Sequence, residues 1–182
     1  MKSIMQESVL KFLMAISLSA IALQAQAIAI NPGTTPQWTS NAGPGVPQLE
    51  ADFESQLGTS LGTEYFKQDL GGSESGIFSG SYTANLTDSG GSIVWDGGSA
   101  IQCPECYLMV KDGNADPQAY LFDLDVLGWT GVQEIVLSGF WPDNGAISHV
   151  SIYGTPGQVP EPAPLALMAL GLLGVGLRRL KK

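Results

Sequence analysis

Residues 77–86 read IFSGSYTANL, and their alternation decides the fold class. Phe78, Tyr82, Ala84 and Leu86 fall on one face with Gly80 between them, while Ser79, Ser81, Thr83 and Asn85 fall on the other. Successive side chains of an extended chain point to opposite faces, so one apolar and one polar side at a period of two mark a half-buried antiparallel strand. Working outward, residues 92–95 (SIVW) form a further strand closed by Asp96-Gly97-Gly98. Residues 107–111 (YLMVK) run into Asp112-Gly113-Asn114, whose residue types favour a tight turn. Strands are also expected at 120–124, 133–137 and 147–153, each bounded by Gly, Asp, Asn or Pro. Turn signals arrive every 8–15 residues and no amphipathic helix stands out. The expected fold is mainly β, an antiparallel β-sandwich of jelly-roll-like form, over residues 49–156. Within it, residues 50–60 fit one helical turn or a strand equally well. Residues 28–48, rich in Pro, Gly, Thr and Asn, are expected to form a linker or irregular arm, with Trp38 pinning it to the body.

The charge map separates this centre from the two ends. The chain has 182 residues, 17 acids and 8 Lys or Arg, for a net charge of −9. Between residues 28 and 159 only Lys67 and Lys111 are positive against fifteen acids, a net of −13. Such a surface repels phosphate backbones, which excludes nucleic acid as an expected partner. The same span holds all four Trp, all five Tyr and five of the six Phe, a content that disordered segments lack.

The ends carry apolar runs flanked by base. Lys2 and Lys11 precede FLMAISLSAIAL at 12–23, and QAQA at 24–27 places the small residues Ala25 and Ala27 at −3 and −1 of a cleavage site. That order predicts a secretory signal peptide over 1–27, cut after Ala27 or alternatively after Ala29, with the secretion translocon and signal peptidase as partners. Near the other end, Val159-Pro160-Glu161-Pro162 cannot be helical, because proline lacks an amide donor and restricts the residue before it. From Leu165 to Leu177 no residue is charged. Counted from Ala163, the run spans roughly 22 Å as a helix, against a hydrocarbon core of about 30 Å, a short single transmembrane helix. Arg178, Arg179, Lys181 and Lys182 form a basic stop that holds this end in the cytoplasm.

Taken in order, Pro160-Glu161-Pro162, the apolar run and the basic cluster resemble a PEP-CTERM sorting signal, covering 157–182. The resemblance implies recognition by an exosortase, a transpeptidase-like membrane enzyme that processes the signal at or near Pro-Glu-Pro, in a Gram-negative bacterium that makes exopolysaccharide. It further implies an inner-membrane-anchored precursor whose product reaches the periplasm, the outer cell surface or the extracellular biofilm matrix. Residues 106–154 also resemble a module found directly upstream of such tails. The resemblance rests on Val110-Lys111-Asp112-Gly113-Asn114, Tyr120-Leu121-Phe122-Asp123, Trp129-Thr130-Gly131 and Gly145-Ala146-Ile147-Ser148-His149-Val150. It implies architecture and location rather than an activity.

Four features invite a site, and each has a plainer alternative. Cys103-Pro104-Glu105-Cys106 is expected to form a structural disulfide, since export places it in an oxidising compartment. A redox dithiol would want a βαβ context, and a zinc site would want a fourth ligand beyond two Cys and the single His149. Asp112, Asn114 and Asp116 place oxygens at alternate positions, as a calcium loop does, and the alternative is a hairpin turn. His149 lies on the strand face opposite Val150 and Ile152 and is expected to be structural. Trp95, Trp129, Phe140 and Trp141 belong either to the core or to a sugar-stacking platform. No acid–base constellation stands out, so no catalytic residue and no cofactor are expected. The expected role is a non-enzymatic, structural or adhesive one in the envelope or exopolysaccharide matrix. The alternative is a carbohydrate-binding module, with or without assistance from calcium.

Overall fold

The structure, a computed structural model, describes residues 26–102, 104–143 and 145–155. Among these described residues ten strands and one helix follow in the order β1 (Ile28–Ile30), β2 (Gln37–Ser40), α1 (Val46–Leu57), β3 (Thr63–Asp69), β4 (Glu74–Ser75), β5 (Tyr82–Thr87), β6 (Gly90–Trp95), β7 (Cys106–Lys111), β8 (Ala119–Asp123), β9 (Ile135–Leu137) and β10 (His149–Gly154). They make a four-stranded sheet, β1-β9-β6-β5, and a six-stranded sheet, β2-β8-β7-β10-β3-β4. The chain is thus mainly β, as the alternation predicts. Every strand pair is antiparallel except β1 with β9, which run parallel.

The two sheets share one core. Leu108, Val110, Phe122, Val150 and Ile152 of the larger sheet join Ile30, Tyr82, Ile93, Ile135 and Leu137 of the smaller. The alternate residues of β7, β8 and β10 point the other way. Tyr107, Met109, Ala119, Leu121 and Tyr153 form a second cluster with Leu49 and Phe53 of α1. Burial of apolar surface on both faces explains why all six residues of β7 and all six of β10 are buried.

Three expectations need correcting. The sequence showed no amphipathic helix, yet α1 runs for twelve residues. Pro47 suits its first turn, where a missing N–H costs nothing, and Gly58 ends it in the left-handed region at φ 71° with its N–H on the Glu54 carbonyl. Val46, Leu49, Phe53 and Leu57 recur at helical spacing, but four apolar residues among polar ones made a faint stripe. The supposed linker at 28–48 supplies β1, β2 and the first residues of α1. Both strands lie at sheet edges, where neighbouring prolines such as Pro32 and Pro36 are tolerated because no second ladder must be completed. Residues 77–81 turn rather than extend, so the strand read at 77–86 begins at Tyr82.

No helix among the described residues is long and apolar enough to cross a membrane. The signal-peptide run with Ala25, and the whole of 157–182 with its transmembrane expectation, lie outside the described residues.

Candidate functional sites

The β7–β8 hairpin and the 139–146 loop meet at one end of the domain, and Asp112 fastens them together. Its Oδ1 accepts the Asn114 N–H at 2.7 Å and the Ala115 N–H at 3.3 Å, and its Oδ2 accepts the Ala146 N–H at 2.5 Å. Gly145 comes so close that a Cβ there would collide with Asp112 Oδ2 and lie 2.8 Å from the Trp141 Cβ. The Asp112 backbone N–H closes the hairpin on the Gln118 carbonyl at 2.9 Å. Asp112 therefore spends its carboxylate on three main-chain donors, an Asx turn with a cross-loop clip. Asp116 instead reaches outward, its Oδ1 accepting from Asn41 Nδ2 at 2.7 Å. Of the three residues of the calcium candidate, Asn114 thus meets Asp112 through its own backbone N–H, while Asp116 serves Asn41. Among the described residues no group of three or more His, Cys, Asp or Glu stands close enough to hold a metal ion.

The same loops wall an open groove of about 470 Å³, lined by Pro32, Ala115, Asp116, Tyr120, Gly139, Trp141, Pro142 and Asp143. Trp141 is held at φ 43°, a conformation that side-chain-bearing residues rarely adopt, and its Nε1 donates to the Pro117 carbonyl at 2.8 Å. Its ring lies 5.3 Å from that of half-buried Tyr120. Burial raises the pKa of the Tyr120 phenol, and the nearby Asp116 carboxylate adds to the rise. Among the described residues, neither the Tyr120 hydroxyl nor the Asp143 carboxylate has a hydrogen-bond or ion partner.

Of the other aromatic candidates, Trp129 and Phe140 are core residues, and Trp129 also fixes its Nε1 on the Gln133 carbonyl at 2.9 Å. Trp95 is partly buried against the core, and its Nε1 has no partner. The groove was missed in sequence because Pro32, Tyr120 and Asp143 come from three distant segments. Only Trp141 stood among the aromatic candidates.

His149 sits at the start of β10, across from Lys111 on β7 and Asp69 on β3. It is 5 % exposed, with Nδ1 3.8 Å from Asp69 Oδ1 and Nε2 buried without a hydrogen bond. Burial is the main reason its pKa falls to about 4; Lys67 and Lys111 lower it further and Asp69 opposes them. Lys111 is itself buried, which lowers its pKa, and its Nζ donates to the Asp112 carbonyl at 3.3 Å. The two cations of the acidic centre and its one histidine thus share a single patch on the face that also carries α1. Cys106 opens β7 and is buried; Cys103 lies outside the described residues.

Fold and tail define a β-rich protein with a terminal address. Residues 158–181 match the family model of the PEP-CTERM protein-sorting motif. The motif implies an exported protein that is processed at the membrane by an exosortase and directed to the cell envelope. It takes in Val159, Pro160, Glu161, Pro162 and the basic cluster as far as Lys181. No curated protein matches the chain. No solved structure matches it either.

Proposed function

We propose that this chain is a non-enzymatic envelope protein whose β-sandwich, jelly-roll-like in its stacking of two sheets, serves a structural or adhesive role after exosortase sorting. The observation that carries this reading is the sorting motif at 158–181. In this reading the chain is exported by the translocon, trimmed by signal peptidase after Ala27, and held in the inner membrane by its C-terminal helix until the exosortase acts. The product then resides in the periplasm, on the outer surface or in the exopolysaccharide matrix. A Cys103–Cys106 disulfide fits the oxidising destination, and no cysteine among the described residues is free. Cleavage after Ala27 suits the fold, because β1 starts at Ile28 and the Ile28 N–H bonds the Glu134 carbonyl at 2.7 Å. Cleavage after Ala29 would strip two of its three residues.

Fractionation of cells expressing an internally tagged chain tests the reading. Deleting residues 160–182 should abolish processing and move the protein out of the envelope fraction. An unchanged size and location would defeat it.

A second reading, carbohydrate binding, is favoured by the groove beside Tyr120 and Trp141. This reading is argued without calcium, because the Asp112 carboxylate accepts from three main-chain donors.

A further inference from the structure

We propose that the groove between the β7–β8 hairpin and the 139–143 loop binds an amino sugar, a pyranose residue bearing a protonated amine. This rests on the carbohydrate-binding reading above and deepens it by naming the sugar class.

The groove's composition carries the argument. Its walls combine the half-buried Tyr120 ring and the pyrrolidine rings of Pro32 and Pro142 with two carboxylates, and no Lys or Arg lies in the lining. Trp141 is 8 % exposed, and its ring packs at a tilt against that of Tyr120. Apolar ring faces beside carboxylate acceptors suit a pyranose, which offers C–H groups on one face and hydroxyl donors at its rim. Charge then selects among sugars. The Asp143 carboxylate has no partner among the described residues, and Asp116 has one oxygen left after bonding Asn41. A uronic acid would bring a third negative charge into this groove, on a domain of net charge −13. A neutral sugar would leave the carboxylates without a counter-charge. An ammonium on the ring supplies one, and carboxylate–ammonium hydrogen bonds are stronger than neutral ones. The Tyr120 hydroxyl remains as a donor or acceptor for a ring hydroxyl.

The geometry of the site is fixed before any ligand arrives. Asp112 clips the two loops together, and Trp141 is anchored on the Pro117 carbonyl, so little ordering is needed on binding.

The test is calorimetric titration of the full chain, purified in detergent, with glucosamine oligomers and with their N-acetylated counterparts. Binding of the free-amine oligomer, about tenfold tighter than the acetylated one, is the expected result. Asp143→Asn should erase most of that preference, and Tyr120→Phe should weaken both ligands. Both changes are small enough to leave the fold intact, and Asp125→Asn, outside the groove, serves as a charge-matched control. Equal affinity for the two oligomers would overturn the amino-sugar assignment while leaving carbohydrate binding standing. Binding of neither would overturn both. A free-amine preference lost equally in Asp143→Asn and Asp125→Asn would reduce the effect to general attraction by an acidic surface and overturn the site.

Discussion

The two sheets of this domain solve burial differently. The four-stranded sheet has one covered face, and β5 shows it: Tyr82 is buried and Asn85 and Thr87 are exposed. The centre of the six-stranded sheet is covered twice, by the other sheet and by α1, and β7 and β10 are buried at every residue. A second cover lets polar groups such as Ser151, Lys111 and His149 be buried beside apolar ones. They then require partners or altered protonation. The outward face of the four-stranded sheet makes no such demand.

The contrast is sharpest in truncation. Phe53→Ala removes the main apolar contact of α1 and should cost about 3–5 kcal/mol, while Asn85→Ala on the outward face of β5 should stay within about 0.5 kcal/mol. Urea unfolding of both variants measures this, and equal losses would mean that the helix contributes little cover. Acid should then expose the polar part of the twice-covered face. His149 has a folded pKa of about 4 and an unfolded one near 6.5, so the unfolded chain binds the extra proton first. Its contribution is complete above about pH 6.5 and is lost as the pH falls through 4, a decline of roughly 3 kcal/mol. A His149→Gln variant should flatten that window in unfolding midpoints taken from pH 7 to 4. A smaller loss than either of these falls in the shared core. The Tyr82 hydroxyl donates to the Gly131 carbonyl at 2.6 Å and accepts from the Ile101 N–H at 2.7 Å, and burial pushes its pKa up to about 12. Tyr82→Phe leaves both backbone groups unpaired and should cost about 1–3 kcal/mol, read from the shift in urea midpoint.

Legibility follows the same division. The singly covered strand was read from alternation alone, and its inward residues Tyr82, Ala84 and Leu86 do pack on the core. Strands β6, β7, β8 and β10 lie within two residues of where turn chemistry placed them. Strand β3, TEYFKQD, went unread, because Tyr65, Phe66 and Gln68 are buried without a clean period of two. Edge strands β1 and β2 are three and four residues long, too short to show any period. The groove was hidden for another reason: no local pattern links Pro32, Tyr120 and Asp143, which meet only through long-range strand pairing.

By itself the sequence determined that the chain carries a sorting tail and that its centre is mainly β. A sorting tail is a local signal, read as a linear string of proline, apolar run and base, and a half-buried strand also writes its period locally. Tertiary structure alone decided that an apparent linker completes both sheets, that a faint helix roofs the larger one, and that Asp112 clips two loops into a groove. Each of these depends on which distant segments share a surface, and burial energy is set by that pairing rather than by neighbours along the chain.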